Sequence, residues 1–185
     1  MKHMTEYTDL PPEVIIRFRE AHILKEFRKG SRILNQGDFS RETYFILKGC
    51  VRSYTIADGE EKTIDFYIEE DAVLPLNYGQ DIESVHFLEC VEDTIVLVSN
   101  EENERRISKE FPELTEASST LSKRIIEKLQ IQFTEYKIST PEERYKHFLQ
   151  KRPQLVERIP QYQLASYLGV KPESLSRIKR RLSEK

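Results

Sequence analysis

The sequence predicts an α+β protein with an N-terminal antiparallel β-roll, a long helix and two short C-terminal helices. Short runs rich in aromatic and β-branched residues alternate with turn signals over residues 29–99. The stretch 101–138 contains no Gly, and no Pro follows Pro112. Around Gly169, apolar residues recur at the spacing of two short helices.

The strand-like region shows clear strand and turn patterns. Asp58-Gly59 separates two of the runs, and this dipeptide suits the positive φ angles of a tight hairpin. Gln36-Gly37-Asp38 and Lys48-Gly49 mark further turns. The region therefore predicts an antiparallel barrel or roll. The strand-like runs are Tyr44–Leu47, Val51–Ile56, Thr63–Tyr67 and Thr94–Val98.

An apolar stripe runs along the predicted long helix, about 101–138. Even a helix of about 25 residues within this stretch extends nearly 40 Å, which is longer than a small roll covers. We therefore expect the stripe to pack partly against a second copy, giving a homodimer. The alternative is that the helix lies along its own domain, because the stripe is not a strict heptad. The predicted dimerisation residues are Leu114, Leu121, Ile125 and Leu129.

Thr140-Pro141 predicts a helix start and a domain boundary. Thr140 stands as the cap and Pro141 as the first helical residue of a helix to about Lys151. The predicted domains are therefore 1–139, with the roll and long helix, and 140–185. Residues 144–185 contain eleven Lys and Arg against three Glu, a net charge of +8, which leaves −11 elsewhere. This asymmetry indicates that the basic end meets a polyanion, and the alternative is a solvated basic face.

Residues 160–182 predict two short helices that pack across a glycine turn. Gly169 supplies a left-handed turn, Val170 a buried plug, and Pro172 the start of the second helix. Lys171 stands at the N-cap, where Ser or Thr is more usual. The pattern is typical of a helix-turn-helix. The predicted inward residues are Leu164, Ala165, Leu168, Leu175, Ile178 and Leu182.

The face of the second helix opposite its apolar stripe is polar and basic. Arg can donate two hydrogen bonds to a guanine edge, and Glu can accept one from a cytosine amino group. We expect Arg177 to read a base and Lys179, Arg180 and Arg181 to contact phosphates mainly. The alternative is an ordinary amphipathic terminal helix. The DNA contacts predicted on this helix are Glu173, Ser176, Arg177, Lys179, Arg180 and Arg181, and Gln161, before the second helix, is a further predicted contact.

The segments RKGSRILNQGDFSRETYFILKGCVRSYTIADGEEKTIDF and LASYLGVKPESLSRIKR resemble the Crp/Fnr family of bacterial transcription regulators. The resemblance implies a cyclic-nucleotide-binding-like double-stranded β-helix, a dimerisation helix and a winged helix-turn-helix in a homodimer that binds double-stranded DNA, with RNA polymerase as a further partner. It places Glu173 and Arg177 at base-reading positions and Ser174 near a phosphate-contacting one. The ESLSR wording is similar to members from the Bacteroidetes. Since the chain stops at Lys185, we expect the wing strands to be reduced or missing.

The sequence departs from the family pattern where a cyclic nucleotide would bind. Cyclic-nucleotide-binding members carry a Gly-Glu pair and an Arg, but the corresponding EEDAVLPLNYGQDIESVHFLECVED contains neither Arg nor Lys. Because strong phosphate recognition needs a cation, we expect no cAMP or cGMP and no other cofactor. An unidentified effector stays open. No cysteine precedes Cys50, so the iron-sulfur cluster of oxygen-sensing members is not expected.

There are two alternative classes of function. One is a cyclic-nucleotide or small-metabolite sensing module whose DNA binding depends on an effector. The other is a metal enzyme of the cupin kind, which needs several converging ligands, whereas only His86 lies in the roll. We therefore expect no enzyme and no metal. Haem ligation by His22, His86 or His147 is also not expected, because isolated histidines are mostly structural.

The remaining sequence features concern the cellular compartment and the cysteines. No run approaches the roughly 18 apolar residues of a membrane span, and the N terminus lacks the apolar stretch of a secretory signal. We therefore expect a cytoplasmic protein with no membrane contact. Cys50 and Cys90 are expected to be small core residues.

Overall fold

Within its described part, the roll has eight strands. The computed structural model describes residues 23–110, 123, 126–127, 129–131 and 133–184. The strands are β1 (Ile23–Phe27), β2 (Arg32–Leu34), β3 (Thr43–Lys48), β4 (Val51–Ala57), β5 (Glu60–Tyr67), β6 (Ala72–Val73), β7 (Phe87–Cys90) and β8 (Thr94–Ser99).

These strands form two four-stranded antiparallel sheets, in the orders β1-β8-β3-β6 and β2-β7-β4-β5. The four runs predicted from composition lie in β3, β4, β5 and β8, which confirms those strands. The predicted start of the strand region at Lys29 is wrong, because β1 precedes it and pairs with β8 from Ile23 to Phe27. The sequence ILKEF of β1 shows no alternation of apolar and polar residues, so its five positions carry no strand pattern. The strand lies at the edge of its sheet, where charged side chains are tolerated.

The β4–β5 hairpin turns at Asp58-Gly59, as predicted. Both residues have positive φ angles, 54° and 76°, which a two-residue hairpin turn requires. The two strands pair from Val51↔Tyr67 to Ala57↔Glu60, with one irregularity beside Tyr54. Strand β5 lies at the edge of its sheet.

Helices follow the roll. They are α1 (Glu101–Glu110), α2 (Pro141–Lys151), a 3-10 turn (Pro153–Leu155), α3 (Gln161–Tyr167) and α4 (Pro172–Ser183). The described residues between 123 and 138 are also helical, as the long helix predicts. Leu114, Leu121 and Ile125, three of the predicted dimerisation residues, lie outside the described residues.

The start of α2 confirms the predicted cap. The Thr140 hydroxyl accepts the Glu143 N–H, and the Glu143 carboxylate accepts the Thr140 N–H at 2.7 Å. This reciprocal pair is a capping box, and Pro141 occupies the first turn. The pKa of Glu143 is lowered, chiefly by the Thr140 backbone hydrogen bond.

Two apolar clusters form the core. One fills the interior of the roll, and its buried members are Leu34, Tyr44, Ile46, Val51, Val73, Leu88, Cys90, Val96 and Val98. The other joins Cys50, Phe66 and Val91 of the roll to the C-terminal helices. Both cysteines are buried, as predicted. The boundary at residue 140 stays a prediction, but the two parts share this second cluster.

Candidate nucleic-acid interface

Helices α3 and α4 pack through the side chains that the sequence predicted to be inward. Gly169 has a φ of +69°, and the Val170 N–H donates to the Ala165 carbonyl at 2.9 Å across the turn. The left-handed turn therefore folds α4 back onto α3. Leu164, Ala165, Leu168, Leu175 and Ile178 are buried, and Leu182 is partly buried against them.

Helix α4 begins without a side-chain cap, as the sequence indicated. Lys171 has the extended backbone of an N-cap, but its side chain accepts no hydrogen bond from the helix. Its carbonyl accepts the N–H groups of Ser174 and Leu175 at 3.0 and 3.1 Å. Glu173, in the first turn, places a negative charge at the positive end of the helix dipole.

The outer face of α4 carries four of the predicted contact residues. Glu173, Ser176, Arg177 and Arg180 are all exposed, and they lie on the side opposite Leu175 and Ile178. Arg177 approaches the Ser174 hydroxyl at 3.4 Å. Among the described residues, no carboxylate lies within ion-pair distance of Arg177 or Arg180. The two guanidinium groups are therefore available to an anionic or hydrogen-bond-accepting partner.

Three other predicted contact residues interact within the chain. The Lys179 ammonium donates to the Gln161 amide oxygen and lies 6.0 Å from the centre of the Tyr145 ring. This bond ties the start of α3 to the middle of α4. Arg181 pairs with Glu142 of α2 at 3.3 Å. Lys179 and Arg181 flank the exposed face, as their helical positions predicted.

The expectation that the whole basic end meets a polyanion is too broad. Arg144 donates to the carbonyl oxygens of Leu168 and Ser139, each at 3.0 Å. Arg152 donates to the Asp65 carboxylate at 2.9 Å and to the Phe66 carbonyl at 2.8 Å. Together with Arg158, these arginines hold the C-terminal helices in place, so they are not available to an external anion.

Arg158 makes the most extensive of these contacts. Its guanidinium donates to both oxygens of Glu69, at 2.8 and 2.9 Å, and to Glu92. It also donates to the Gly49 carbonyl at 2.9 Å. Hydrogen bonds to Glu69 raise the pKa of Arg158 further above its usual value. Burial alone would raise the pKa of Glu69, but hydrogen bonds from Arg158 and the Gly49 N–H lower it.

Apolar contacts complete the junction between the roll and the C-terminal helices. The Phe66 ring meets the Tyr167 ring edge-on with centroids 5.7 Å apart, and Phe148 lies 5.8 Å from the same ring. Burial raises the pKa of Tyr167 to about 12. Ser166 of α3 accepts the Thr63 N–H at 2.9 Å and donates to the Glu61 carbonyl at 3.1 Å.

The roll interior is apolar where a cyclic nucleotide would need polar partners. Apolar side chains fill it, and residues 63–104 contain no Lys or Arg. Arg52 of β4 is buried, but it lies on the sheet face opposite Val51 and pairs with Glu61 at 2.6 Å. In the part of the chain that the structure describes, the lining of the roll interior therefore supplies no Lys or Arg for a phosphate.

Part of the chain matches a known protein family in sequence. Residues 24–110 match the family of the cyclic nucleotide-binding domain. The matched residues span most of the roll and α1, and the helices from residue 133 onward lie outside the match. No curated protein matches the chain significantly in sequence.

Solved structures share the fold of the chain beyond this domain. CooA from Carboxydothermus hydrogenoformans is 15% identical with a TM-score of 0.73, over 96% of this chain and 86% of the other. FixK2 from Bradyrhizobium japonicum is 18% identical with a TM-score of 0.73, over 88% and 85%. The global regulator CLP of Xanthomonas campestris, described as responsive to c-di-GMP, is 16% identical with a TM-score of 0.70, over 94% and 92%. The chain therefore shares the fold of these proteins.

The remaining site predictions concern metal ligands, histidines and membrane spans. Among the described residues, no three His, Cys, Asp or Glu side chains are grouped to hold a metal ion. His86 directly precedes β7 and is half-buried, and burial lowers its pKa. His22 lies outside the described residues. No helix in the described part is long and apolar enough to cross a membrane.

The residues that the sequence analysis missed are those at the junction. Arg152 and Arg158 counted only as members of the basic end, and Ser166 carried no signal. Each contacts residues about 65 to 110 positions away in the chain. The one sequence hint was that each arginine stands beside a proline interruption, at Arg152-Pro153 and at Arg158-Ile159-Pro160.

Proposed function

We propose that the protein is a homodimeric, sequence-specific DNA-binding transcription regulator of the Crp/Fnr type. One observation carries this proposal: on the side opposite its buried stripe, α4 exposes Arg177 and Arg180, and neither has a carboxylate partner among the described residues. An exposed helix face with Arg and Glu matches the hydrogen-bonding groups of a major groove. In this proposal α3 and α4 are the helix-turn-helix, and α4 is its recognition helix.

The roles of the side chains follow from their positions. Arg177 donates to a guanine edge, and Glu173, one turn earlier, accepts from a cytosine amino group. Arg180 lies nearer the C terminus of α4 and contacts the phosphate backbone, with Ser174 and Ser176 as further hydrogen-bonding groups. The Lys179 ammonium donates a hydrogen bond to the Gln161 side-chain oxygen, so these two side chains act as a pair. The Gln161 amide N–H groups stay available to a phosphate.

Exposed apolar side chains support the dimer. Ile126, Leu129 and Phe133 follow each other at steps of three and four residues, and each is more than half exposed. An apolar helix face of this kind is unfavourable in water unless a partner covers it. We assign it to the same face of a second copy, so that two-fold symmetry sets two recognition helices about 34 Å apart.

The proposed regulator acts without a cyclic nucleotide. The apolar roll interior and the lack of Lys and Arg in 63–104 support this, since a buried phosphate needs a cationic partner. The protein would act in the cytoplasm, with RNA polymerase as a further partner at the promoter.

The alternative is an effector-dependent regulator. The match of residues 24–110 to the cyclic nucleotide-binding domain favours it. So does the neighbouring structure of a regulator described as responsive to c-di-GMP. A ligand of either kind would have to bind outside the apolar interior, or open it.

Selection of duplex DNA by the purified protein tests the proposal. The full chain selects from random duplexes, first alone and then with cAMP or c-di-GMP, and fluorescence anisotropy measures the affinity of the enriched duplex. We expect a symmetric site that is bound equally with and without nucleotide. Binding that requires a nucleotide supports the alternative, and failure to enrich any sequence refutes DNA recognition. Arg28→Ala removes an exposed arginine from the roll, and it is the matched control for variants that remove an arginine from α4, such as Arg177→Ala.

A further inference from the structure

The C-terminal helices are attached to the roll at three places. Arg158 enters the end of the roll where Gly49, Glu69 and Glu92 meet. These three residues come from separate connections, after β3, after β5 and after β7. Glu69 also accepts the Gly49 N–H at 2.8 Å, so it is held in place before Arg158 binds it. Arg158 therefore meets a preformed acceptor site.

The other two attachments lie along β5. Arg152 binds Asp65 and the Phe66 carbonyl, and Ser166 binds two backbone groups of the same strand. One attachment would allow the helices to rotate on the roll. Three attachments, spread over the segment 152–166, fix both position and orientation.

The orientation of α4 is fixed by its apolar contacts in the cluster shared with the roll. Leu175 and Ile178 are buried in the same cluster as Phe66 and Val91 of the roll. Packed cores deform little, so α4 cannot tilt without disturbing contacts that reach the roll. The direction of the Arg177 face is therefore set by the roll.

We propose that Arg158 is a positioning residue that makes the roll set the spacing between the two DNA half-sites. This inference rests on the proposed function, since it concerns a dimer that reads two half-sites. Adding one base pair between half-sites moves them apart by about 3.4 Å and rotates them by about 35°. A rigidly held α4 cannot follow this change, whereas a loosely held one can.

The experiment compares operator spacing in the full-length protein and its variants. The operators are the selected site, the same site with one central base pair added or removed, and a single half-site. For the wild type we expect each spacing change to weaken binding roughly tenfold or more, comparable to a mismatched base pair. In Arg158→Ala this penalty falls to about threefold or less, while affinity for the half-site stays within about twofold. Arg158→Lys, which restores one charge, has an intermediate penalty.

A second variant distinguishes the loss of the Arg158 contacts from a folding defect. Glu69→Gln with Glu92→Gln keeps the side-chain shapes at the junction and removes the charges that Arg158 binds. This double variant should lower the spacing penalty, as Arg158→Ala does, and Arg28→Ala should leave the penalty unchanged. Spin labels at Ser183 and Gln80, both exposed, report the distance between α4 and the roll without DNA. We expect a broader distance distribution in Arg158→Ala than in the wild type.

The outcomes separate the two proposals. If no sequence is selected, the proposed function fails, and the spin-label widths still decide whether Arg158 fixes α4. If a site is selected but Arg158→Ala keeps the wild-type spacing penalty, Arg158 does not set the spacing. An equal loss on every operator, half-site included, also overturns this role, because it indicates a general loss of folded protein.

Discussion

Tyr136 lies directly against Gly169. A methyl group at Gly169 would stand 2.9 Å from the Tyr136 phenol oxygen, closer than side-chain carbons pack. The Tyr136 ring also carries the Arg144 guanidinium, 4.6 Å from its centre, and Arg144 donates to the Leu168 carbonyl. The end of the long helix is thus packed against the turn between α3 and α4.

Gly169→Ala should destabilise the C-terminal helices. The alanine must adopt a φ of +69° and must displace Tyr136, and the first effect alone costs about 1 to 2 kcal/mol. Urea unfolding followed by circular dichroism measures the loss. Adding Tyr136→Phe removes the clashing oxygen and should recover part of it. If the double variant is as unstable as the single one, the contact with Tyr136 contributes nothing.

Arg177→Ala should weaken binding to the selected site by about 1 to 3 kcal/mol and relax the preference at one base pair. The reason is that Arg177 is exposed and has no carboxylate partner among the described residues. Anisotropy titrations against the selected site and its single-base variants measure both effects. An equal loss on random DNA would mean that Arg177 contacts phosphate.

Lys179→Ala gives the contrasting variant for that experiment. Because Lys179 and Gln161 are proposed to contact phosphate, all sequences should be weakened alike. The slope of log affinity against log salt should decrease by about one.

Leu129→Lys should shift the protein from dimer to monomer. The change places a charge in the exposed apolar face of Ile126, Leu129 and Phe133, where burial against a partner would desolvate it. Sedimentation equilibrium measures the association. Thr134→Lys, at an exposed position about 140° further round the helix, is the matched control and should stay dimeric. A dimeric Leu129→Lys protein would exclude this face as the interface.

The junction should weaken on acidification. The pKa of Glu69 is lower in the folded state than its ordinary value of 4.5. The stabilisation from Glu69 is therefore complete above that value and is lost as the pH falls through the lowered folded-state pKa. The midpoint of urea unfolding should fall over this range in the wild type and fall less in Glu69→Gln. Equal pH dependence in both proteins would remove Glu69 as a cause.

The sequence predicted the parts of the fold that local signals specify. Asp58-Gly59 marked a hairpin, Thr140-Pro141 a helix start, and the spacing around Gly169 a pair of packed helices, because each depends on neighbouring residues only. The exposed face of α4 followed from helical periodicity in the same way.

The junction could not be predicted, because its partners are distant in the chain. Nothing near Arg158 indicates that it pairs with Glu69 and Glu92 rather than with DNA phosphates. The short strand β1 was missed for a related reason. Its residues become strand only by pairing with β8, about 70 residues later.

Ser166 also has a consequence for solubility. The edge of a β-sheet presents unpaired backbone N–H and C=O groups that can pair with another chain, which leads to aggregation. Ser166 occupies one group of each kind on β5, at Thr63 and Glu61, so the C-terminal helices cover part of this edge. A chain cut before α3 would leave the β5 edge open to strands from other molecules.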